Sequence, residues 1–213
     1  DAGVSFGRIG EGQQMGYLST ATPGAENSSG FLGYVNDTRF SVNRGHFTES
    51  FSLEISSETE GASIRYTTDG ATPSESEGIL YTGPIEVDRT MPVRAIAYLD
   101  GLQSTNVDTQ TYIFVDDVVT QSSATTQSIW GLPRDWSGIS PDYGMNSSVA
   151  SVHAATIKDD LKTVPSLSLS MPEEDLFGSN GIYANPLSSG INWERATSLE
   201  SVSYTHLTLP TIH

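Results

Sequence analysis

Cysteine is missing from this 213-residue chain. Its absence excludes a disulfide framework, thiolate zinc sites and cysteine nucleophiles. It does not exclude export, because a β-sandwich of ordinary size holds without crosslinks. No run of about 18 or more apolar residues occurs, so no segment reads as a membrane-spanning helix. Positive charge is scarce: 10 Lys and Arg stand against 26 Asp and Glu, a formal net charge of −16. Such a surface repels phosphate backbones and anionic leaflets, so neither nucleic-acid binding nor membrane insertion is expected. No basic stretch leads into an apolar one near Asp1. A signal peptide is therefore expected upstream of this sequence, which opens without Met and reads as mid-domain.

What is present is alternation. Phe51, Leu53 and Ile55 alternate with Ser52, Glu54 and Ser56, which predicts strands with one apolar and one wet face. Ile64 and Tyr66 flank Arg65, and Thr68-Asp69-Gly70 follows as a turn with Pro73 just beyond. Gly83-Pro84 punctuates before Ile85-Glu86-Val87. Val93, Ala95 and Ala97 share one face of a further run, with Ile96 and Tyr98 on the other. Asp100-Gly101 turns again before Thr111-Tyr112-Ile113-Phe114. About seven short strands at this spacing predict an antiparallel immunoglobulin/fibronectin III-like β-sandwich over residues 36–115.

Residues 1–27 form a Gly-rich piece ahead of it, and residues 116–148, rich in Ser, Thr, Gly and Pro, read as a linker or extended arm. Within the arm, Trp130, Trp136 and Tyr143 are expected to anchor it on a neighbouring domain. Residues 149–200 begin an incomplete α+β piece. Ala154, Ile157 and Leu161 mark a short amphipathic helix stopped by Pro165, and Ser166-Leu167-Ser168-Leu169-Ser170 alternates as a strand.

The stretch Ala62 to Pro73, with its Tyr66-Thr67-Thr68-Asp69-Gly70-x-x-Pro73 element, resembles the chitobiase/β-hexosaminidase C-terminal domain, also called a fibronectin type III-associated domain. Tyr81, Pro84, Ile85, Ala95, Ser104 and Tyr112 continue the resemblance. It implies a non-catalytic sandwich that accompanies catalytic or adhesive domains in exported proteins, with these residues as structural motif. Phe6-Gly7-Arg8 and Thr22-Pro23-Gly24-Ala25-Glu26-Asn27 resemble the end of a bacterial lamin-tail-type domain. Asp175-Leu176-Phe177, Gly181-Ile182-Tyr183-Ala184-Asn185 and Trp193 to Glu200 resemble the entry to a CotH kinase-like domain, whose phosphate- and metal-handling residues would lie downstream. Residues 202–211 resemble a translated sequencing adapter, so residues 202–213 are expected to be an artefact and the natural sequence to end near Glu200.

Those resemblances imply an extracellular or cell-surface protein whose partners are the neighbouring domains of the same polypeptide and, on a second reading, a cell-surface polysaccharide. No catalytic, cofactor-binding or metal-ligating residue is predicted, and no cofactor. Asp116-Asp117 and Asp159-Asp160 lack the spaced oxygens of a calcium loop. Gly-x-Ser-x-Gly is absent, and His46 and His153 have no triad context.

Overall fold

A computed structural model describes residues 4–9, 14–18, 20, 22–27, 30–124 and 143–203. Trp130 and Trp136 fall outside this set, as do residues 204–213.

Nine strands build the central unit: β3 (Arg39–Phe40), β4 (Gly45–Phe47), β5 (Phe51–Leu53), β6 (Ile55–Ser56), β7 (Ser63–Thr67), β8 (Ile79–Leu80), β9 (Ile85–Val87), β10 (Met91–Tyr98) and β11 (Asp108–Phe114). Five of them form one sheet in the order β4-β11-β10-β7-β8, and the pairs β3-β6 and β5-β9 supply the facing layer. All pairings are antiparallel except β4 on β11. Leu53, Ile55 and Val87 from the pairs meet Ile64, Val93, Ala95, Ala97, Tyr112 and Phe114 from the sheet in one core. This is the mainly β, immunoglobulin/fibronectin III-like sandwich that the alternation predicts. Phe47 and Phe51 close its end, with ring centroids 4.6 Å apart.

One run departs from simple alternation. β10 is the middle strand of its sheet, and Arg94 and Ile96 on its second face are buried along with the core residues Val93, Ala95 and Ala97. Both of its faces are therefore covered, in keeping with the apolar Ile96 opposite Val93, Ala95 and Ala97.

Ahead of the sandwich, β1 (Ser5–Arg8) and β2 (Met15–Leu18) make a hairpin in register Phe6 to Tyr17. It is joined to the sandwich through the bridges Tyr17 to Phe31 and Tyr34 to Gln103. After β11 the chain passes straight into α1 (Val115–Thr120), so the start of the expected arm is helical. Tyr143 lies back against the same region, its N–H donating to Ser123 Oγ at 3.3 Å.

The single helix expected around Ala154, Ile157 and Leu161 is two: α2 (Ser147–Val152) and α3 (Ile157–Thr163). Asn146 caps α2 by accepting from the N–H groups of Ser148 and Val149. Such a cap starts a helix that the apolar spacing alone would not place. Ala154 falls in the turn between the two. Then β12 (Ser166–Ser170), α4 (Glu173–Phe177), a 3-10 turn at Ile191–Trp193 and β13 (Ser198–Val202) complete the described chain. β12 and β13 pair antiparallel as a two-stranded ribbon, Ser166 opposite Val202. Val202, expected beyond the natural sequence, is thus a strand residue with a wholly buried side chain.

Candidate functional site

Most of the motif residues make contacts within the sandwich. Thr67 Oγ1 donates to the Ala71 carbonyl at 2.6 Å, and the Asp69 carboxylate accepts from the Ala71 N–H at 3.0 Å, closing the turn after β7. Gly70 sits at φ +87°, and a Cβ there would lie 2.7 Å from the carbonyl oxygen of Met171. Glycine is required for the conformation and for the close approach. Pro73 is fully buried. Tyr81 Oη accepts from the Ile55 N–H at 3.1 Å, and its ring meets Tyr66 edge-on. Tyr112 donates its hydroxyl to the Val42 carbonyl at 2.8 Å. Burial, with the Glu200 carboxylate beside it, pushes that phenol well above its ordinary pKa, so it remains a donor. Ile85 pairs with Leu53, and Ala95 lies between Tyr66 and Asp108 with no exposed surface. Pro84 is exposed just ahead of β9, and Ser104 is half-buried in the loop leading to β11.

A different set of residues converges on the outer face of the five-stranded sheet. Period 2 along each strand puts His46 of β4, Thr109 and Thr111 of β11, Arg94 of β10 and Thr67 of β7 there, opposite to the core. The β12–β13 ribbon lies on this face. His46 Nε2 is 3.2 Å from Ser166 Oγ, and Thr111 Oγ1 is 2.7 Å from Ser168 Oγ. The Thr111 hydroxyl also meets the Glu200 carboxylate, which is 3% exposed and ion-paired to Arg44 at 3.0 Å. Arg94, equally withdrawn from water, donates from Nη1 to the Gly70 carbonyl at 2.7 Å and to Thr72 Oγ1 at 3.0 Å. Its Nε, His46 Nδ1 and Thr109 Oγ1 are buried without a hydrogen-bond partner among the described residues.

Electrostatics in this seam follow from burial. His46 is held below its usual pKa, first by desolvation and then by the nearby Lys162 ammonium. Desolvation also lowers Arg94, while the Glu200 carboxylate works against it. Beside the seam runs a cleft of about 660 Å³. Thr68, Asp69 and Arg89 from the sandwich form one wall, and Met171, Leu176 and Phe177 the other. No group of three or more acidic or imidazole side chains able to hold a metal occurs among the described residues.

Residues 42–109 match the family model of the chitobiase/beta-hexosaminidase C-terminal domain. That family is a non-catalytic accessory β domain. No curated protein and no solved structure matches the chain. The matched stretch contains the whole Tyr66 to Pro73 element and both strands that carry His46 and Arg94, but stops short of Thr111 and Glu200.

Arg44, His46, Arg94, Thr111, Ser166, Ser168 and Glu200 were not singled out by sequence as one site. The usable signal was the repeated small hydroxyl at every second position of residues 166–170, which marks a face able to lie on another polar face. Nothing in that signal names the partner strand.

Proposed function

We propose that the sandwich is an accessory module of an exported, multi-domain bacterial surface protein, and that it seats the segment that follows it. The observation carrying this reading is the buried Glu200 carboxylate. It joins β13 to Arg44 and Thr111 of the sandwich, so the outer sheet face is engaged by the same polypeptide. Membership of residues 42–109 in a non-catalytic family supports the accessory role. No helix among the described residues is long and apolar enough to cross a membrane.

On this reading residues 1–27 are the end of a lamin-tail-type domain and residues 149–200 the entry to a CotH-like domain, whose kinase chemistry belongs to the parent protein. Incubating this chain with ATP, magnesium and a generic protein substrate gives no phosphate transfer above blank. Measurable transfer overturns the assignment of catalysis to sequence beyond Glu200.

A second reading, polysaccharide binding, is favoured by one surface. Phe6 and Tyr34 are 61% and 43% exposed and gather with Phe31 around Tyr17 at centroid distances of 5.0–5.6 Å. Their rings meet mostly at steep angles and so offer edges as well as faces. Retention on chitin or peptidoglycan that is abolished by Phe6→Ala with Tyr34→Ala supports this reading, and no retention by the unaltered chain removes it.

A further inference from the structure

The contact between the outer sheet face and the ribbon has an uneven charge balance. Arg44 approaches from the segment before β4, Arg94 from β10 and Lys162 from α3, while Glu200 of β13 is the buried carboxylate among them. Lys162 is itself paired with Asp159 at 2.7 Å, and Asp159 is largely exposed. Of the titratable side chains of β11, Tyr112 lies on the inner face and stays neutral, and Asp108 accepts from Thr38 and Asn106 at the strand's start. Arg44 and Arg94 thus share the buried Glu200 carboxylate, while the Lys162 ammonium acts on His46, in a chain whose overall charge is −16.

His46 lies within this arrangement. Its Nε2 contacts Ser166 of the ribbon, and its Nδ1 is buried without a partner among the described residues. A second proton on the ring would place a charge where neither nitrogen has a carboxylate and where cations already outnumber anions. His46 as a whole is half-buried, but its Nδ1 is shut off from water, and a charge left without a partner at such an atom is disfavoured. The ribbon has little to resist such a cost: it has two strands, its apolar anchor on the covered face is Val202, and Leu167, Leu169 and Leu199 on its other face are 64–73% exposed. A two-stranded sheet is marginal in water when its packing is lost. The sandwich, in contrast, keeps its core whether or not the ribbon is seated.

We propose that the seam is an acid-released latch, in which a proton taken up at His46 undocks the β12–β13 ribbon while the sandwich stays folded. The sign follows from proton binding. Docked, desolvation and the Lys162 ammonium hold His46 below its ordinary pKa. Undocked, it titrates near the ordinary value of about 6.5. The undocked state therefore binds more protons below that value, and falling pH favours it. Docking is complete above about pH 6.5 and weakens below it, by at most about tenfold per pH unit for one proton.

The test is amide hydrogen exchange on the full chain, corrected for intrinsic rates, from about pH 7.5 to 5.5. Protection at residues 166–170 and 198–202 should fall up to about tenfold per unit on the acid side, while residues 93–97 stay protected. His46→Gln keeps a side chain able to reach Ser166 and does not titrate, so its ribbon protection should not change across the range. Ribbon protection insensitive to pH in the unaltered chain overturns the proposal, as does an unchanged pH dependence in His46→Gln. So does simultaneous opening of ribbon and core. Should the variant fail to dock at any pH, NMR titration of the His46 ring in the unaltered chain decides. A pKa below that of a free histidine agrees with the latch, and one at or above it overturns it.

Discussion

Both faces of the five-stranded sheet are covered, but the inner one is apolar at its buried positions while the outer one is largely polar with Ile96 among its buried residues. On the inner face Val93, Ala95 and Tyr112 have no exposed surface; on the outer face Arg94, Thr111 and the facing Glu200 are 3–7% exposed. Burial alone therefore does not mark the core. Inner-face stability comes from apolar area removed from water, which needs no particular partner. Outer-face stability adds to the buried Ile96 and Val202 a set of hydrogen bonds and an ion pair, each of which fails as soon as one member is removed. Damage to the inner face should unfold everything, and damage to the outer face should free the ribbon and leave the sandwich standing.

The largest effect tests the inner half of that contrast. Tyr112→Ala removes a fully buried ring that packs edge-on against Phe51, together with its hydrogen bond to Val42. A loss of about 3–5 kcal/mol in chemical denaturation is expected, with ribbon and core melting together. Glu200→Ala comes next. It leaves Arg44, which is 40% exposed and recovers water, so the loss is about 1–3 kcal/mol and is confined to the ribbon. Hydrogen exchange should show residues 198–202 unprotected with β7 and β10 unchanged. A fall in the global melting transition equal to that of Tyr112→Ala would erase the distinction between the faces.

Gly70→Ala probes the point where both faces meet. A side chain at φ +87° costs about 1–2 kcal/mol, and the added Cβ also collides with the Met171 carbonyl that follows β12. The expected result is a modest drop in sandwich stability together with a loosened ribbon. A variant that loosens neither would mean that the turn relaxes and that the approach of Met171 is incidental.

The sandwich was legible because its signals are local. Phe51 to Ile55 alternate, Asp69-Gly70 turns and Pro73 restricts the chain, so strand positions and the inner face follow from neighbours in sequence. The seam joins Arg44 and Thr111 to Glu200, residues brought together only by the fold. The alternation of residues 166–170 gave the strand correctly but carries no sign: period 2 separates serines from leucines without saying which side is covered. The split of the expected helix into α2 and α3 has a similar cause, since the Asn146 cap fixes where α2 begins while the apolar spacing continues through the turn at Ala154. Double coverage of β10 was legible at Ile96 but hidden at Arg94, which reads as a solvent residue until Gly70 and Thr72 are folded against it.

The smallest effect tests the inverted ribbon. Leu199 is 64% exposed and stands opposite Leu169 on the face turned away from the sandwich. Leu199→Ser removes only a cross-strand contact and a partly buried side chain, so a change within about 0.5–1 kcal/mol is expected in ribbon protection. Ser168→Leu makes the opposite change on the covered face. It removes the hydroxyl that meets Thr111 and places a larger apolar group beside Glu200, so ribbon protection should collapse although the substitution raises hydrophobicity. If the two variants behave in this order, the covered face around Thr111 and Glu200, and not the leucine face, seats the ribbon. If instead Leu199→Ser costs as much as Glu200→Ala, the leucine face is covered in solution, and the ribbon draws its stability from that side.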